Sequence, residues 1–418
     1  MPDEFQQLLR KYAQVGVRVG NNLQPGQRLI IIGKWLNRGV PLELAPLVHE
    51  IEVAAYQAGA PYVDVIWADQ QTDLLRFKHA PEDSFEEYPE WFLTALLEYM
   101  ERGDAMLEIF GEDPQLLKDQ DGDRINLVRK TAISHLEPAL KYVTGNIINW
   151  TIIGAPVQGW ADMVFPDAEE GERVDLLWQA IFKACRIDQP DPIKAWQDHI
   201  ADLAKRAAHL NKKGFDALHY KGPGTDLTVG LPQGHIWQSA GMKNKTGIPF
   251  TANIPTEEVF SLPHRERADG VIASTKPLSY AGSIIEDFQL TFEAGKVVDL
   301  KASRGEKQLR DLIETDENAA RLGEVALVPF SSPISQSGLL FFNTLYDENA
   351  ACHIALGRGI RACLQDGTAM EDEAFVDAGG NTSQVHVDFM VGSNELDIDG
   401  LTAEGTREPV LRDGEWAF

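Results

Sequence analysis

The chain has 418 residues, of which 44% are hydrophobic and 24% charged. This is the balance of a globular protein, and the length is sufficient for two domains with sizeable cores. Acidic residues outnumber basic residues by 64 to 38, which gives a formal charge of −26 at pH 7. Such a field repels nucleic-acid phosphates and anionic lipid, and it favours metal ions or cationic ligands, although much of the charge serves solubility.

The cysteines and the N-terminus indicate where the protein works. Cys185, Cys352 and Cys363 are too few and too scattered for a disulfide framework or a CxxC zinc site. The first fifteen residues carry charged side chains and lack the apolar core of a secretory signal. No apolar run approaches the ~18 residues of a membrane span. We therefore expect a protein of the reducing cytoplasm.

The first half of the chain alternates between helical and strand-like patterns. Apolar residues recur at helical spacing in residues 5–15, 42–56, 86–102 and 124–141. Between them lie apolar runs typical of strands at residues 28–32, 62–67, 105–110 and 149–153. Alternating strands and helices with continuously apolar strands predict an α/β domain with a mainly parallel sheet. The turn after the first strand, residues 33–39, matches neither the G-x-G-x-x-G fingerprint nor a P-loop, so a nucleotide is not expected there.

The pattern changes near residue 190. A Pro-rich passage at residues 188–192 opens a long helix that reaches about residue 213. Short strands separated by Gly and Pro follow, for example at residues 217–220, 226–229 and 271–275. This spacing predicts an α+β domain with a mainly antiparallel sheet. We place the predicted domains at residues 1–212 and 213–418.

Candidate metal ligands lie in the second predicted domain. On a strand at residues 383–390, His386 and Asp388 project from the same face, about 7 Å apart, which is a spacing that suits a divalent cation. Further candidates are Glu257, Glu258, Glu324, Glu348 and His353. Taken singly, each acid is better explained by a structural role: Glu257 or Glu258 as a helix cap, Glu324 on a solvated edge, and Glu348 facing water. Together, two imidazoles and several carboxylates can hold two cations ~3.5 to 4 Å apart with a bridging carboxylate.

Nucleophilic side chains give a weaker signal. The chain has no G-x-S-x-G segment, which disfavours a serine hydrolase of the α/β-hydrolase type. Cys352 is adjacent to His353 in sequence, but neighbouring side chains point in different directions on any regular element. A cysteine nucleophile is therefore not expected.

Four segments, residues 253–260, 321–328, 343–357 and 385–390, resemble the signature segments of the M29 family of metallo-aminopeptidases. The resemblance runs through nearly the whole chain and is most specific after residue 250. It implies a homodimer of two-domain subunits with an α/β N-terminal domain. It also implies a dinuclear site of Zn, Co or Mn in an enclosed cavity of the C-terminal domain.

The resemblance also implies residue roles. The metal ligands fall on Glu258, with Glu257 as an uncertain second choice, on Glu324 as the bridge, and on His353, His386 and Asp388. Glu348 is a further ligand or a general base, and the expected catalytic acids are Glu324, Glu348 and Glu257. The family usually has a tyrosine seven residues after His353. This chain has Ile360 there, so any role of that phenol must be met differently or not at all.

The activity implied by the resemblance is stepwise removal of N-terminal residues from peptides, through a water activated by two cations. One alternative is a ring-cleaving dioxygenase of related fold, which resembles this family in holding one Fe(II) with two histidines and an aspartate, here His353, His386 and Asp388. Glu258 and Glu324 would be superfluous for one iron, which favours the peptidase. A third possibility is a binding protein whose metal is fully coordinated and closed to water.

Overall fold

The computed structural model describes residues 2–35, 38–280 and 283–418, so Leu36 and Asn37 of the predicted turn lie outside the described residues. The chain forms two compact units. The first consists of Met1–Ile200, Gly241–Pro255 and Leu340–Leu345, and the second of Ala201–Ala240, Thr256–Leu339 and Tyr346–Phe418. The single boundary near residue 212 stays a prediction beside these bounds.

The described residues contain α-helices and strands throughout. The helices are α1 Pro2–Val15, α2 Ala45–Gln57, α3 Gln70–His79, α4 Glu90–Glu101, α5 Gly122–Thr144, α6 Gln158–Val164, α7 Glu170–Ala184, α8 Pro192–Lys213, α9 Glu306–Ile313, α10 Pro333–Ser337, α11 Thr344–Asp347 and α12 Asp372–Asp377. None of the described helices is both long enough and apolar enough to cross a membrane.

The strands are, in chain order, β1 Leu29–Gly33, β2 Val40–Pro41, β3 Val63–Val65, β4 Trp67–Ala68, β5 Ala105–Phe110, β6 Trp150–Gly154, β7 Ala217–Gly222, β8 Thr225–Gly230, β9 Gln238–Ser239, β10 Met242–Lys243, β11 Pro249–Phe250, β12 Asn253–Ile254, β13 Val259–Ser261, β14 Ala268–Ala273, β15 Leu278–Tyr280, β16 Ser283–Ile285, β17 Gln289–Glu293, β18 Lys296–Lys301, β19 Leu322–Leu327, β20 His353–Gly357, β21 His386–Met390, β22 Asp397–Leu401, β23 Arg407–Arg412 and β24 Glu415–Trp416.

The first unit is built on a parallel sheet with strand order β12-β6-β5-β1-β3, which confirms the predicted α/β architecture. The apolar runs of β1 and β5 are buried because helices cover the sheet. One core cluster joins these two strands to α4 and α5 through Ile30, Ile32, Phe92, Leu96, Met106, Leu136 and Ala139. The Asp121 carboxylate accepts a hydrogen bond from Arg124 N and so caps α5.

The edge strand β12 comes from the segment that the sequence analysis assigned wholly to the second domain. It pairs in parallel with β6, where Asn253 lies opposite Ile152. The next segment, Thr256–Leu339, belongs to the second unit. A two-residue strand carries no alternating pattern, so no pattern of residues indicates that this segment divides between the units.

The second unit contains two larger antiparallel sheets, which confirms the prediction of an antiparallel region. The eight-stranded sheet has the order β18-β17-β14-β8-β7-β22-β23-β24. The five-stranded sheet has the order β21-β20-β19-β13-β9. The five-stranded sheet carries Glu324, His353, His386 and Asp388, and Glu258 directly precedes its strand β13.

The first unit buries an acidic residue in the middle of its sheet. Glu108 lies on β5 opposite Ile32 and Ile152 of the neighbouring strands, and it is 1% exposed. Its carboxylate accepts hydrogen bonds from Trp35 N at 3.2 Å and Trp35 Nε1 at 2.9 Å. Burial raises the pKa of Glu108 to about 8, against the lowering effects of Lys34 and of the Trp35 hydrogen bonds.

This raised pKa makes the stability of the unit depend on pH. Between about pH 5 and about pH 8 the folded chain holds a proton on Glu108 that the unfolded chain releases, so stability falls as the pH rises. Glu108→Gln removes the titration. The melting temperature of the variant relative to the unaltered protein should therefore rise across this window and level off above about pH 8.

Thermal unfolding followed by circular dichroism at several pH values measures this difference. Ile152→Val, on the strand facing Glu108, changes packing but no titrating group, so its difference from the unaltered protein should not vary with pH. A constant difference for Glu108→Gln would contradict the assignment.

Candidate metal centre

The register of the five-stranded sheet brings the candidate side chains to one face. Glu324 on β19 and Asp388 on β21 lie opposite the same residue, Ala355, of the strand between them, β20. His386 lies opposite Gly357, and His353 is two residues before Ala355 on the same strand. Directly opposed residues share a face, as do residues two apart on one strand, so all four functional side chains project to the same side.

Small residues on β20 leave room for this convergence. Ala355 of β20 lies between the larger Glu324 and Asp388, and Gly357 lies opposite His386. Gly357 has a φ of +100°, and a Cβ atom there would lie 2.2 Å from Val385 O. Only glycine fits this position, because a side chain would be strained by the backbone and would collide with the next strand. Ile354 and Leu356 point to the opposite face and are buried.

The side chains form two groups with potential ligand atoms within 4.8 Å of one another. One group consists of Glu258, Glu324 and His353, and the other of Glu324, His386 and Asp388. His353 Nε2 lies 3.2 Å from Glu258 Oε2, and His386 Nε2 lies 3.1 Å from Glu324 Oε2. Glu324 is therefore common to both groups, which is the arrangement a bridging carboxylate requires.

Both imidazoles are oriented by main-chain carbonyls. His386 Nδ1 lies 2.7 Å from Arg358 O, and His353 Nδ1 lies 3.2 Å from Ala351 O. A carbonyl only accepts hydrogen bonds, so each Nδ1 donates its proton. With Nδ1 as the donor, a neutral ring would present the lone pair of Nε2 to the cluster, as a metal ligand must. No sequence pattern signals these contacts, because any residue can supply a carbonyl.

The cluster concentrates negative charge away from water. Burial raises the pKa of Glu324, and the nearby charges of Asp388 and Glu258 raise it further despite the His386 hydrogen bond. Burial alone would lower the pKa of His353, but the hydrogen bond and charge of Glu258 outweigh it and raise that pKa to about 10. His386 likewise has a raised pKa, because Asp388 and Glu324 outweigh its burial. Positive charge beside these acids would therefore stabilise their ionised forms.

The residues present fit divalent cations. Asp388 Oδ1 is buried and accepts no hydrogen bond from the described residues, although it lies 3.5 Å from His386 Nε2. A cation would satisfy this oxygen. Two ligand atoms of one tetrahedral ion lie ~3.3 Å apart, close to the separations found here. Oxygen and imidazole ligands suit Zn, Co and Mn alike.

Two predicted residues lie outside both ligand groups of the described residues. Glu348 is partly buried in a 3₁₀ turn just before β20. Burial raises its pKa well above the ordinary value, and the charges of Glu258 and Asp388 add to this. Glu257 is buried, and its main-chain N donates to Asn349 Oδ1 at 2.7 Å. Their predicted roles as ligand, base or alternative ligand stay predictions.

Other candidates have structural positions. Cys352 is buried, and its thiol donates to Val328 O at 3.2 Å, while burial raises its pKa to about 12. A thiol in that state is a poor nucleophile. Ile360 is partly buried and directly precedes the 3₁₀ turn Arg361–Cys363. The thiol of Cys363, which the sequence analysis did not associate with the site, is buried within electrostatic reach of Glu324 and Glu258.

The cluster of carboxylates and imidazoles, carried by an antiparallel α+β unit in a chain that also forms a parallel α/β unit, indicates a metal-binding protein. The family model of the thermophilic metalloproteases (M29) matches residues 5–416. The chain therefore belongs to the M29 family, whose members are metalloproteases and require a divalent metal.

Individual relatives agree with this assignment. The chain is 46% identical to Aminopeptidase AmpS of Bacillus subtilis, over 100% of both proteins. It is 45% identical to Aminopeptidase 2 of Geobacillus stearothermophilus, over 100% of this chain and 99% of that protein. Its structure matches wild-type AmpT from Thermus thermophilus with a TM-score of 0.92 and 42% identity, over 99% of this chain and 100% of the other.

The shared position of Glu324 predicts an asymmetry in metal content. Glu324→Gln should reduce the metal bound by both groups, whereas Glu258→Gln should reduce binding only in the group that contains His353. Elemental analysis after dialysis against a fixed zinc concentration measures the stoichiometry. Glu257→Gln is the matched control, since it removes the adjacent carboxylate outside both groups and should leave metal content unchanged. Equal losses in the Glu258 and Glu324 variants would contradict the shared position.

Proposed function

We propose that this protein is a metallo-aminopeptidase that removes N-terminal residues from peptides by means of two divalent cations sharing Glu324. The observation that carries the proposal is the membership of Glu324 in both ligand groups. The comparisons support it, because the relatives at 42% to 46% identity are named aminopeptidases. A cytoplasmic homodimer is part of the same proposal.

In this proposal Glu258 and His353 would hold one cation, His386 and Asp388 would hold the other, and Glu324 is available to both because it belongs to both ligand groups. Two cations bound there would supply a hydroxide nucleophile near neutral pH and polarise the scissile carbonyl. The protein's own contribution begins with ligand orientation: antiparallel strands fix the carboxylates, and the Arg358 and Ala351 carbonyls fix the imidazoles.

Proton transfer falls to a carboxylate outside the ligand groups. Glu348 lies within electrostatic reach of Glu258, Asp388 and His353 but belongs to neither group of the described residues. Burial and the charges of Glu258 and Asp388 raise the pKa of Glu348, and cations bound beside it would lower that pKa again. Its ionised carboxylate would then accept a proton from the attacking water and pass it to the leaving amine. Glu257 is the alternative, since it is buried and directly precedes the candidate ligand Glu258 in the chain.

The proposed site also offers a binding partner for a free N-terminus. In this proposal the free α-amino group would be bound by one of the cations, as the neutral amine, or by an acid outside both ligand groups such as Glu348. An internal peptide segment lacks that group. Its weaker binding would favour cleavage of the first peptide bond.

The geometry disfavours the mononuclear iron alternative. A facial triad needs His353, His386 and Asp388 around one ion. Among the described residues, His353 belongs to one ligand group and the other two residues to the second. Both groups also include Glu324, which a single iron does not need.

Chelation and metal replacement test the proposed activity. The purified protein should release p-nitroaniline from aminoacyl p-nitroanilides, lose that activity after treatment with a chelator, and regain it at about two Co, Zn or Mn ions per chain. Spectrophotometric release and elemental analysis measure activity and stoichiometry on the same samples. An N-acetylated substrate is the matched control and should not be cleaved. Oxygen uptake on iron, with no hydrolysis under any metal, would instead support the dioxygenase.

A second test concerns the general base. Glu348→Gln keeps the size of the side chain but cannot accept the proton, so kcat should fall by about 10²- to 10⁴-fold while metal content is retained. Glu257→Gln is the matched variant on the other candidate acid. A full loss of activity in Glu257→Gln, together with a near-normal kcat in Glu348→Gln, would show that Glu257 is the general base. Loss of metal in Glu348→Gln would make Glu348 a ligand.

A further inference from the structure

The carbonyl that orients His386 lies in a segment whose own residues restrict the backbone conformation only weakly. Arg358, whose O accepts from His386 Nδ1, is flanked by Gly357 and Gly359. Glycine allows more backbone conformations than any other residue. A fixed Arg358 carbonyl therefore requires restraint from elsewhere, and part of it comes from Arg358 N, which donates to Val385 O at 2.7 Å.

Gly357 N also donates to Arg321 O at 2.7 Å, and Asn381 adds a further restraint on both sides of Arg358. Asn381 is 0% exposed, and its Nδ2 donates to Gly357 O at 2.6 Å and to Asn318 O at 2.9 Å. Its own main-chain O accepts from Gly359 N at 2.7 Å. One buried asparagine thus binds the residues on both sides of Arg358, and it holds the carbonyl that aligns His386.

Asn349 has a corresponding position beside the other ligand group, the one that contains Glu258. It is also 0% exposed, and its Oδ1 accepts from Glu257 N at 2.7 Å. Its main-chain O accepts from Ser332 Oγ at 3.0 Å, which fixes Asn349 itself. The main chain immediately before Glu258 is therefore held by the segment that carries Glu348 and leads into His353.

We propose that Asn381 and Asn349 are positioning residues, one for each ligand group. Asn381 acts through Arg358 on His386 in the group with Glu324 and Asp388. Asn349 acts through the Glu257 main chain on Glu258 in the group with Glu324 and His353. The inference rests on the proposed two-cation site and adds to it a separate support for each cation.

The test is calorimetric titration of the full chain with Zn²⁺ alone, in backgrounds that each retain one ligand group. In His386→Ala, which keeps the Glu258 group, Asn349→Ala should weaken zinc binding by about 10- to 100-fold and Asn381→Ala should leave it unchanged. In His353→Ala, which keeps the Asp388 group, the effects should be reversed.

A buried asparagine far from the cluster in sequence is the control for stability. Asn149 in the first unit is 0% exposed, and its Nδ2 donates to Asn21 O at 2.8 Å. Asn149→Ala should lower the melting temperature without changing zinc affinity. Circular dichroism at the titration temperature verifies that every variant is folded.

Zinc affinities that stay unchanged in both asparagine variants, or that fall equally in both backgrounds, would overturn the inference. If a background lacking one histidine takes up no zinc, the variants are titrated in the otherwise unaltered chain. In that chain each asparagine variant should lower the zinc affinity of one of the two binding events, and unchanged affinities would overturn the inference. An unaltered chain that binds no zinc would overturn the proposed function itself, which separates the two failures.

Discussion

The demand of buried carboxylates for positive charge governs the second unit. Glu324 is 5% exposed, and Glu258, Glu348 and Asp388 lie within its electrostatic reach or that of its neighbours. Two imidazoles cannot balance four acids, whereas two divalent cations can. The sheet holds these groups together because its hydrogen bonds and buried opposite face, including Ile354 and Leu356, fix the strands. The stabilisation from core packing on one face thus offsets the repulsion among like charges on the other face.

Strand alternation made part of this site predictable. The His386–Asp388 pair lies on a strand, β21, with both side chains on one face, as the spacing of two predicts. The α/β and antiparallel regions followed from the apolar patterns, because continuous and alternating runs have different burial requirements. The family membership followed from four short segments, which agree with a match over residues 5–416.

Other features could not be predicted, because they depend on main-chain contacts between distant residues. The carbonyls of Arg358 and Ala351 orient the imidazoles, yet a carbonyl leaves no mark in the sequence. Glu108 sits in a run that predicts only a buried strand, and its partner Trp35 lies 73 residues earlier. Asn381 has no periodic pattern around it, and its role depends on the path of the chain at Gly357 and Gly359.

The edge strand β12 has a consequence for biosynthesis. It covers β6 through Ile152 N, which donates to Ala252 O, and through Thr151 Oγ1, which donates to Thr251 O, a residue 100 positions later in the chain. While the chain emerges from the ribosome, the parallel sheet of the first unit has an uncovered edge until residues 253 and 254 have been made. Uncovered edges pair readily with other chains. A fragment that ends near residue 200 would keep that edge permanently and would be prone to aggregate.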